Sequence, residues 1–302
     1  MTKFTLTVVL ALALMSAAVI IGVVRVITSE TRQNTETILT GQAELAAREA
    51  LAQIERETTR IAGLAFSEQL AELAALSNAE RPTEADIKKV DEQWTAWQKG
   101  GSGGQAEQLF GSFTTNDGAR LIKEFQSAYP DHIEMFATDR YGRNIAQVKP
   151  TSDYYQADEG WWKAAYADGK GAITVQPASF DESTGRWGMN VAAPIVRDGE
   201  VVGVLRSTID VTAVFETLRQ ATFGETGHVI LLDAEGKVLY HPDTELFGQQ
   251  LADPLTAAAV ERKPLDAEVP DPGGQAWRVH ALPVPGQLGE QLGWTLAARM
   301  TP

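Results

Sequence analysis

Four aromatic side chains, Tyr154, Tyr155, Trp161 and Trp162, are interleaved with Asp153, Asp158 and Glu159 in one short stretch. Aromatic faces beside carboxylates are the usual setting for an organic cation. Each well-placed ring supplies about 0.5–2 kcal/mol of quadrupole attraction, and a carboxylate adds a charge-assisted hydrogen bond to an ammonium group. The chemistry expected here is reversible binding of a small amine or quaternary ammonium compound. Further along, period-two alternation puts Asn190 and Trp187 on opposite faces of one strand, and Asn190 is the one expected to face the ligand. With Asp210 at the end of a later strand, the expected ligand-binding set is Tyr154, Asp158, Glu159, Trp161, Trp162, Asn190 and Asp210.

A plainer reading stays open at each position. Paired indoles also pack short helices onto sheets. Asp158 and Glu159 also suit the first turn of a helix, where acids complement the dipole. Asp210 also suits the cap of a helix beginning at Val211.

Other chemistries are poorly served. The chain has no cysteine, so disulfides, thiolate nucleophiles and Cys-ligated zinc are excluded. Its four histidines, His132, His228, His241 and His280, are scattered with no metal-binding spacing. A Gly-x-Ser-x-Gly elbow is absent, and Asp233-Ala234-Glu235-Gly236 lacks the alternating oxygens of a calcium loop. Gly100-Gly101-Ser102-Gly103-Gly104 has neither a preceding strand nor a following Gly-Lys-Ser/Thr, so it reads as a linker rather than a phosphate cradle. A net charge of −14 argues against binding nucleic acid. No cofactor and no catalytic residue is expected.

The elements that must position the aromatic stretch follow a clear order. Phe4 to Val24 is uncharged and mostly apolar between Lys3 and Arg25, long enough at about 1.5 Å per residue to cross a membrane. A cleaved signal peptide ending near Ser16-Ala17-Ala18 is the competing reading, but the apolar run continues past it. Residues 1–28 are therefore expected to anchor the chain in the bacterial inner membrane as a single pass, with the bulk exported. From Ser29 to about Ser77 an amphipathic helix is expected, its stripe marked by Ile38, Leu45, Ile54, Ile61, Leu64 and Leu73. That stripe suits either packing in cis or a homodimer through the stalk. Arg81-Pro82-Thr83-Glu84 reads as a break and a capped helix carrying Trp94 and Trp97.

From His132 the pattern changes to strands and turns. Strands are expected at His132–Thr138, Asn144–Val148, Ala172–Gln176, Trp187–Val196 and Val201–Asp210, with short helices at Glu159–Tyr166 and Val211–Ala221. The pattern then repeats in shorter form from His228. Ala137-Thr138-Asp139-Arg140-Tyr141-Gly142 parallels Leu231-Leu232-Asp233-Ala234-Glu235-Gly236, so two copies of one module are expected. The fold class is α+β: a long N-terminal helix bearing two tandem modules, each a central antiparallel sheet with flanking helices. The boundaries expected are 1–28 for the anchor, 29–105 for the stalk and helical segment, and 106–221 and 222–302 for the modules.

With these elements in place, the chain resembles the double-Cache sensor family of bacterial chemoreceptors, histidine kinases and cyclases. The resemblance covers roughly residues 30 to 300. It is carried by the stalk, the two modules, the stretch from Thr151 to Ala165, and Ala193-Pro194-Ile195-Val196-Arg197-Asp198-Gly199-Glu200-Val201-Val202-Gly203-Val204. It implies an extracytoplasmic small-molecule sensor with two PAS-like modules, its ligand in the membrane-distal one and its signal relayed through the stalk. In relatives that bind amino acids, the family pattern of Tyr, Arg, Trp, an aromatic and a later Asp falls here on Tyr154, Glu159, Trp161, Trp162 and Asp210. The family's arginine is thus replaced by Glu159, which removes the carboxylate clamp and disfavours an α-amino acid. The sequence ends just after the last expected strand, which leaves open a truncated receptor or a stand-alone sensor working through a signalling partner protein. An anchored solute-binding or scaffold protein is the alternative, and an unrecognised periplasmic hydrolase a more distant one.

Overall fold

The computed structural model describes residues 3–101, 104–181, 185–251, 253–270 and 273–301. Its first helix, α1 (Lys3–Ala65), is followed by α2 (Glu68–Ala79), α3 (Glu84–Gln98), α4 (Gln105–Phe113) and α5 (Asp117–Ala128). Most of the expected anchor falls on residues 1–18, whose side chains lie outside the described set. Among the described residues no helix is long and apolar enough to cross a membrane. The centre of the expected linker, 102–103, and the turn 182–184 also lie outside the described residues.

Two features of the stalk differ from the periodic reading. The helix breaks at Ser67, whose extended backbone (φ −67°, ψ 138°) makes it the N-cap of α2 rather than a residue of one continuous rod to Ser77. The buried face keeps Ile54 and Ile61 of the expected stripe, with Leu64 and Leu73 partly buried against the same core, but not Ile38 and Leu45. Ile38 and Leu45 are 48% and 49% exposed, whereas Leu39, Ala43, Ala46, Ala47, Ala50, Ile54, Ile61 and Ala65 are fully buried. These recur at helical spacing, and the alanines let the helix axis come close to what it covers. Large and small side chains share this interface, and the stretch Ala43–Ala50 buries only alanines.

The strands form two sheets. The first joins β1 (His132–Asp139), β2 (Asn144–Gln147), β3 (Thr174–Val175), β4 (Ser179–Asp181), β5 (Arg186–Arg197) and β6 (Glu200–Asp210), in the order β2-β1-β6-β5-β3 with β4 beside β5. Between β2 and β3 lies the short helix α6 (Gly160–Tyr166). After β6 come two single turns, α7 (Val211–Val214) and α8 (Glu216–Arg219), which Phe215 separates within the single helix expected there. The second sheet joins β7 (His228–Leu232), β8 (Val238–Tyr240), β9 (Leu265–Pro270), β10 (Ala276–Pro283) and β11 (Thr295–Met300), in the order β8-β7-β11-β10-β9. Helix α9 (Asp253–Val260) precedes β9, and α10 (Gly286–Leu292), which the sequence reading did not foresee, separates β10 from β11.

The two orders are the same: an opening hairpin, the last strand beside the first, then the remaining strands outward. All pairings are antiparallel. The likeness extends to single atoms at the paired turns. Asp139 Oδ1 accepts the backbone N–H groups of Tyr141 and Arg143 at 2.9 and 3.0 Å. Asp233 Oδ1 accepts those of Glu235 and Lys237 at 2.9 and 2.8 Å. Gly142 (φ 78°) and Gly236 (φ 76°) supply the left-handed residue that each turn requires.

Helix α1 lies across both sheets, contacting β5 and β6 of the first and β10 and β11 of the second. One apolar core accordingly runs from Leu39 through Ile61 and Ile209 to Leu296. Polar contacts pin the helix in two places. Arg278 on β10 bonds Glu36 at 2.6 Å, and the ring of His132 at the start of β1 meets Glu57 at 3.2 Å.

Candidate functional site: a charged cavity in the first module

A cavity of about 360 Å³ lies between the first sheet and the segment leading into α6. Its floor is one face of the sheet: Glu134 and Phe136 from β1, Asn190 from β5 and Arg206 from β6. Strand alternation puts these side chains on that face and turns their neighbours toward α1. Gln176, just beyond β3, closes one side, and Thr151, Ser152, Asp153, Gln156, Glu159 and Trp161 form the opposite wall.

Residues 151–156 belong to no strand or helix beyond a single antiparallel bridge of Tyr155 to Arg143, so most of their backbone groups need other partners. Trp94 on α3 donates its indole N–H to the Thr151 carbonyl at 2.8 Å. Asp91, one turn earlier, accepts the N–H groups of Tyr154 and Tyr155 at 2.9 and 3.0 Å. Burial raises the pKa of Asp91 against these stabilising bonds. The Asn144 amide donates to Thr151 Oγ1 at 2.7 Å and to the Asp153 carbonyl at 2.9 Å. Helix α3 and strand β2 therefore set the shape of the wall.

The floor is a polar network. Arg206 Nη2 donates to Asn190 Oδ1 at 2.9 Å, the Thr208 hydroxyl donates to the same oxygen at 2.8 Å, and Arg206 Nη1 lies 3.5 Å from Glu134. The guanidinium also lies 5.3 Å from the centre of the Phe136 ring and 5.2 Å from that of Trp161. Those two rings meet edge to face at 5.6 Å. An internal cation thus occupies the ring faces where an organic cation was expected.

Of the residues singled out in the sequence, Glu159, Trp161 and Asn190 line the cavity. The other four do not. Tyr154 turns away to pack against Trp94 and stack on Phe113, at 6.0 and 6.2 Å between ring centres, and burial pushes its phenol pKa up. Trp162 faces the sheet, donating its indole N–H to Thr138 Oγ1 at 2.9 Å and stacking on Tyr166 at 4.6 Å. Consecutive residues of a helix point in different directions, so both indoles could not line one cavity. Asp158 is exposed, and its carbonyl accepts the Lys163 ammonium at 2.6 Å. Asp210 accepts the Thr212 N–H at 2.8 Å and pairs with Arg186 at 3.0 Å, the capping role left open for it.

Sequence reasoning did not select Glu134, Phe136, Gln156, Gln176 or Arg206, and it placed Asp153 in the acidic-aromatic stretch without including it in the ligand-binding set. Arg206 carried a usable signal, an arginine in the interior of the otherwise uncharged run Val201–Ile209.

A family model described as Cache domain matches residues 24–301, nearly the whole chain. The chain belongs to the Cache domain family. It is an extracytoplasmic sensor domain of the kind found in bacterial chemoreceptors and histidine kinases. Over 95 residues, 32% of this Cache chain, it is 33% identical to the methyl-accepting chemotaxis protein PscA of Pseudomonas syringae pv. tomato. Over 113 residues, 35% of the chain, it is 27% identical to the methyl-accepting chemotaxis protein PctB of Pseudomonas aeruginosa. The chain spans only 15% and 17% of those two relatives' lengths.

Among solved structures, it is similar to the ligand-binding domain of the Pseudomonas fluorescens chemoreceptor CtaA in complex with L-serine, with a TM-score of 0.57 and 17% identity over 89% of this chain and 98% of that one. The domain of the Pseudomonas aeruginosa receptor PctC in complex with GABA gives 0.53 and 21% over 89% and 100%. The sensor domain of the Vibrio cholerae histidine kinase DctB gives 0.55 and 12% over 87% and 95%. At these identities the likeness is one of fold.

Proposed function

We propose that this Cache domain senses a small zwitterionic solute, one bearing both an ammonium and a carboxylate group, in the cavity of its first module. The observation that carries this reading is the charge set around that cavity. Three carboxylates, Glu134, Asp153 and Glu159, and one guanidinium, Arg206, line it together. The acidic excess favours a ligand with a cationic group, as expected from the sequence. The aromatic cage for a quaternary ammonium is less well supported, because Arg206 lies over Trp161 and Phe136. A primary ammonium instead meets Asp153 and Glu159 on the wall, and a carboxylate meets Arg206 on the floor. In this reading the cation missing at Glu159 is supplied from β6, which restores a carboxylate partner. L-serine and GABA, bound by the CtaA and PctC domains, both carry this pair of groups.

The first module (106–221) is the membrane-distal one in this reading and the second (222–302) the proximal one. Residues 4–24 tether the chain to the inner membrane, and ligand binding biases the position of α1 relative to the membrane, a second copy or a signalling partner protein. Titration calorimetry of the protein against α-amino acids, GABA, choline and dicarboxylates tests the proposal. Saturable heat is expected from at least one zwitterion and not from dicarboxylates. Heat from dicarboxylates or choline alone sinks it.

A further inference from the structure

Strand β6 has two faces with different partners. Arg206 and Thr208 belong to the polar network of the cavity floor, while Ser207 between them points the other way. Ser207 Oγ lies 2.6 Å from His132 Nδ1, and His132 Nε2 lies 3.2 Å from Glu57 Oε2 on α1. All three residues are buried. The geometry resembles a hydrolytic triad, yet no solvent or substrate reaches the serine.

A carboxylate is an expensive choice on a helix face otherwise made of alanine, leucine and isoleucine. Here its interactions are polarised in one direction. In the tautomer with its proton on Nε2, the ring accepts from the Ser207 hydroxyl at Nδ1 and donates to Glu57 at Nε2. Glu57 also bonds Arg60 and, at 2.9 Å, Gln53, both on its own helix. Burial pushes the pKa of Glu57 up, but the bonds to His132 and Arg60 outweigh it and hold the carboxyl below its ordinary value. Glu57 therefore keeps two polar partners on its own helix if the imidazole moves, and is not left an unpaired buried charge.

We propose that Ser207, His132 and Glu57 are positioning residues that couple the cavity floor to the stalk helix. Displacement of β6 at Arg206 and Thr208 moves Ser207, the short bond carries the imidazole with it, and the longer contact to Glu57 makes or breaks. The proposal rests on the cavity's being the sensing site, but its test needs no ligand.

Hydrogen–deuterium exchange is followed in the α1 segment 53–61 of the full chain. Asn190→Ala, which disturbs the floor network, is introduced into the wild type and into Ser207→Ala, Ser207→Thr and His132→Phe backgrounds. In the wild type and in Ser207→Thr, which keeps the hydroxyl, exchange in 53–61 is expected to change by about threefold or more. With Ser207→Ala or His132→Phe the same floor substitution is expected to leave that segment within the scatter of its own background. Equal changes in all four backgrounds, no change in the wild type, or loss of the effect in Ser207→Thr would each overturn the proposal. His132→Phe keeps a ring of similar size in place, so a folding failure of one variant does not remove the test. The calorimetric panel reads the sensing proposal separately: absence of any binding solute would sink that reading and leave the exchange result standing.

Discussion

Trp161 and Trp162 are adjacent, chemically identical and assigned to different tasks. The first forms part of the cavity wall beside Arg206, and the second locks α6 onto the sheet through Thr138. Substitution should separate them. Trp162→Phe is expected to cost about 1 kcal/mol of stability for the lost hydrogen bond and to leave affinity for the zwitterion unchanged, read by urea unfolding and calorimetry on one preparation. Arg206→Ala is expected to lower that affinity by about 30-fold or more, since it removes the cation and leaves Glu134 without it. Arg206→Lys should not restore it, because an ammonium cannot both lie flat over two rings and reach Asn190 in the same fork geometry. Calorimetry of the two variants side by side decides this, and equal affinity in wild type and Arg206→Ala removes Arg206 from recognition.

Helix α3 does for the cavity wall what regular pairing does for the floor. Asp91 and Trp94 satisfy three backbone groups of residues 151–155. Asp91→Ala is expected to leave two N–H groups without a partner, costing about 1–3 kcal/mol. It should raise amide exchange in 151–156 well before the sheet responds, which mass spectrometry would resolve; an unchanged segment would mean that the wall holds itself.

This arrangement marks where the sequence stopped being readable. Strand alternation, the duplicated Asp-x-x-Gly turn and the helix around Trp161 were legible because they are local patterns. The direction of Tyr154, the use of alanines on α1 and the arrival of Arg206 beneath Trp161 depend on packing between segments far apart in the chain. No local period encodes them. Glu159 was visible in the sequence as part of the aromatic stretch, whereas the place of Arg206 required the sheet register that puts Phe136 opposite it.

The two modules share a strand order but not a chemistry. In the second, His228, His241, Trp277 and Arg299 group together. Burial and the Arg299 guanidinium, 2.7 Å from Nε2, hold the His241 pKa down to about 4, and burial lowers that of His228 as well. A histidine whose folded pKa is depressed takes up a proton on unfolding. Its contribution to stability is therefore complete above the unfolded value near 6.5 and is lost as pH falls toward 4. For His241 the loss is on the order of 3 kcal/mol. Unfolding midpoints measured from pH 7.5 to 4.5 are expected to fall through that window, with a shallower slope in His241→Gln. Parallel slopes would assign the acid sensitivity elsewhere.

Between Ala43 and Ala50 the buried face of α1 is all alanine, so little steric bulk resists motion of that stretch along its groove. What resists is polar: one tie near each end of the buried stretch, Glu36 to β10 and Glu57 to His132. At about 1.5 Å per residue these ties lie roughly 30 Å apart. If the upper one opens while the lower one holds, the upper half of the rod swings about a fixed lower pivot instead of the whole rod sliding. The second module would then act as a fulcrum for the rod.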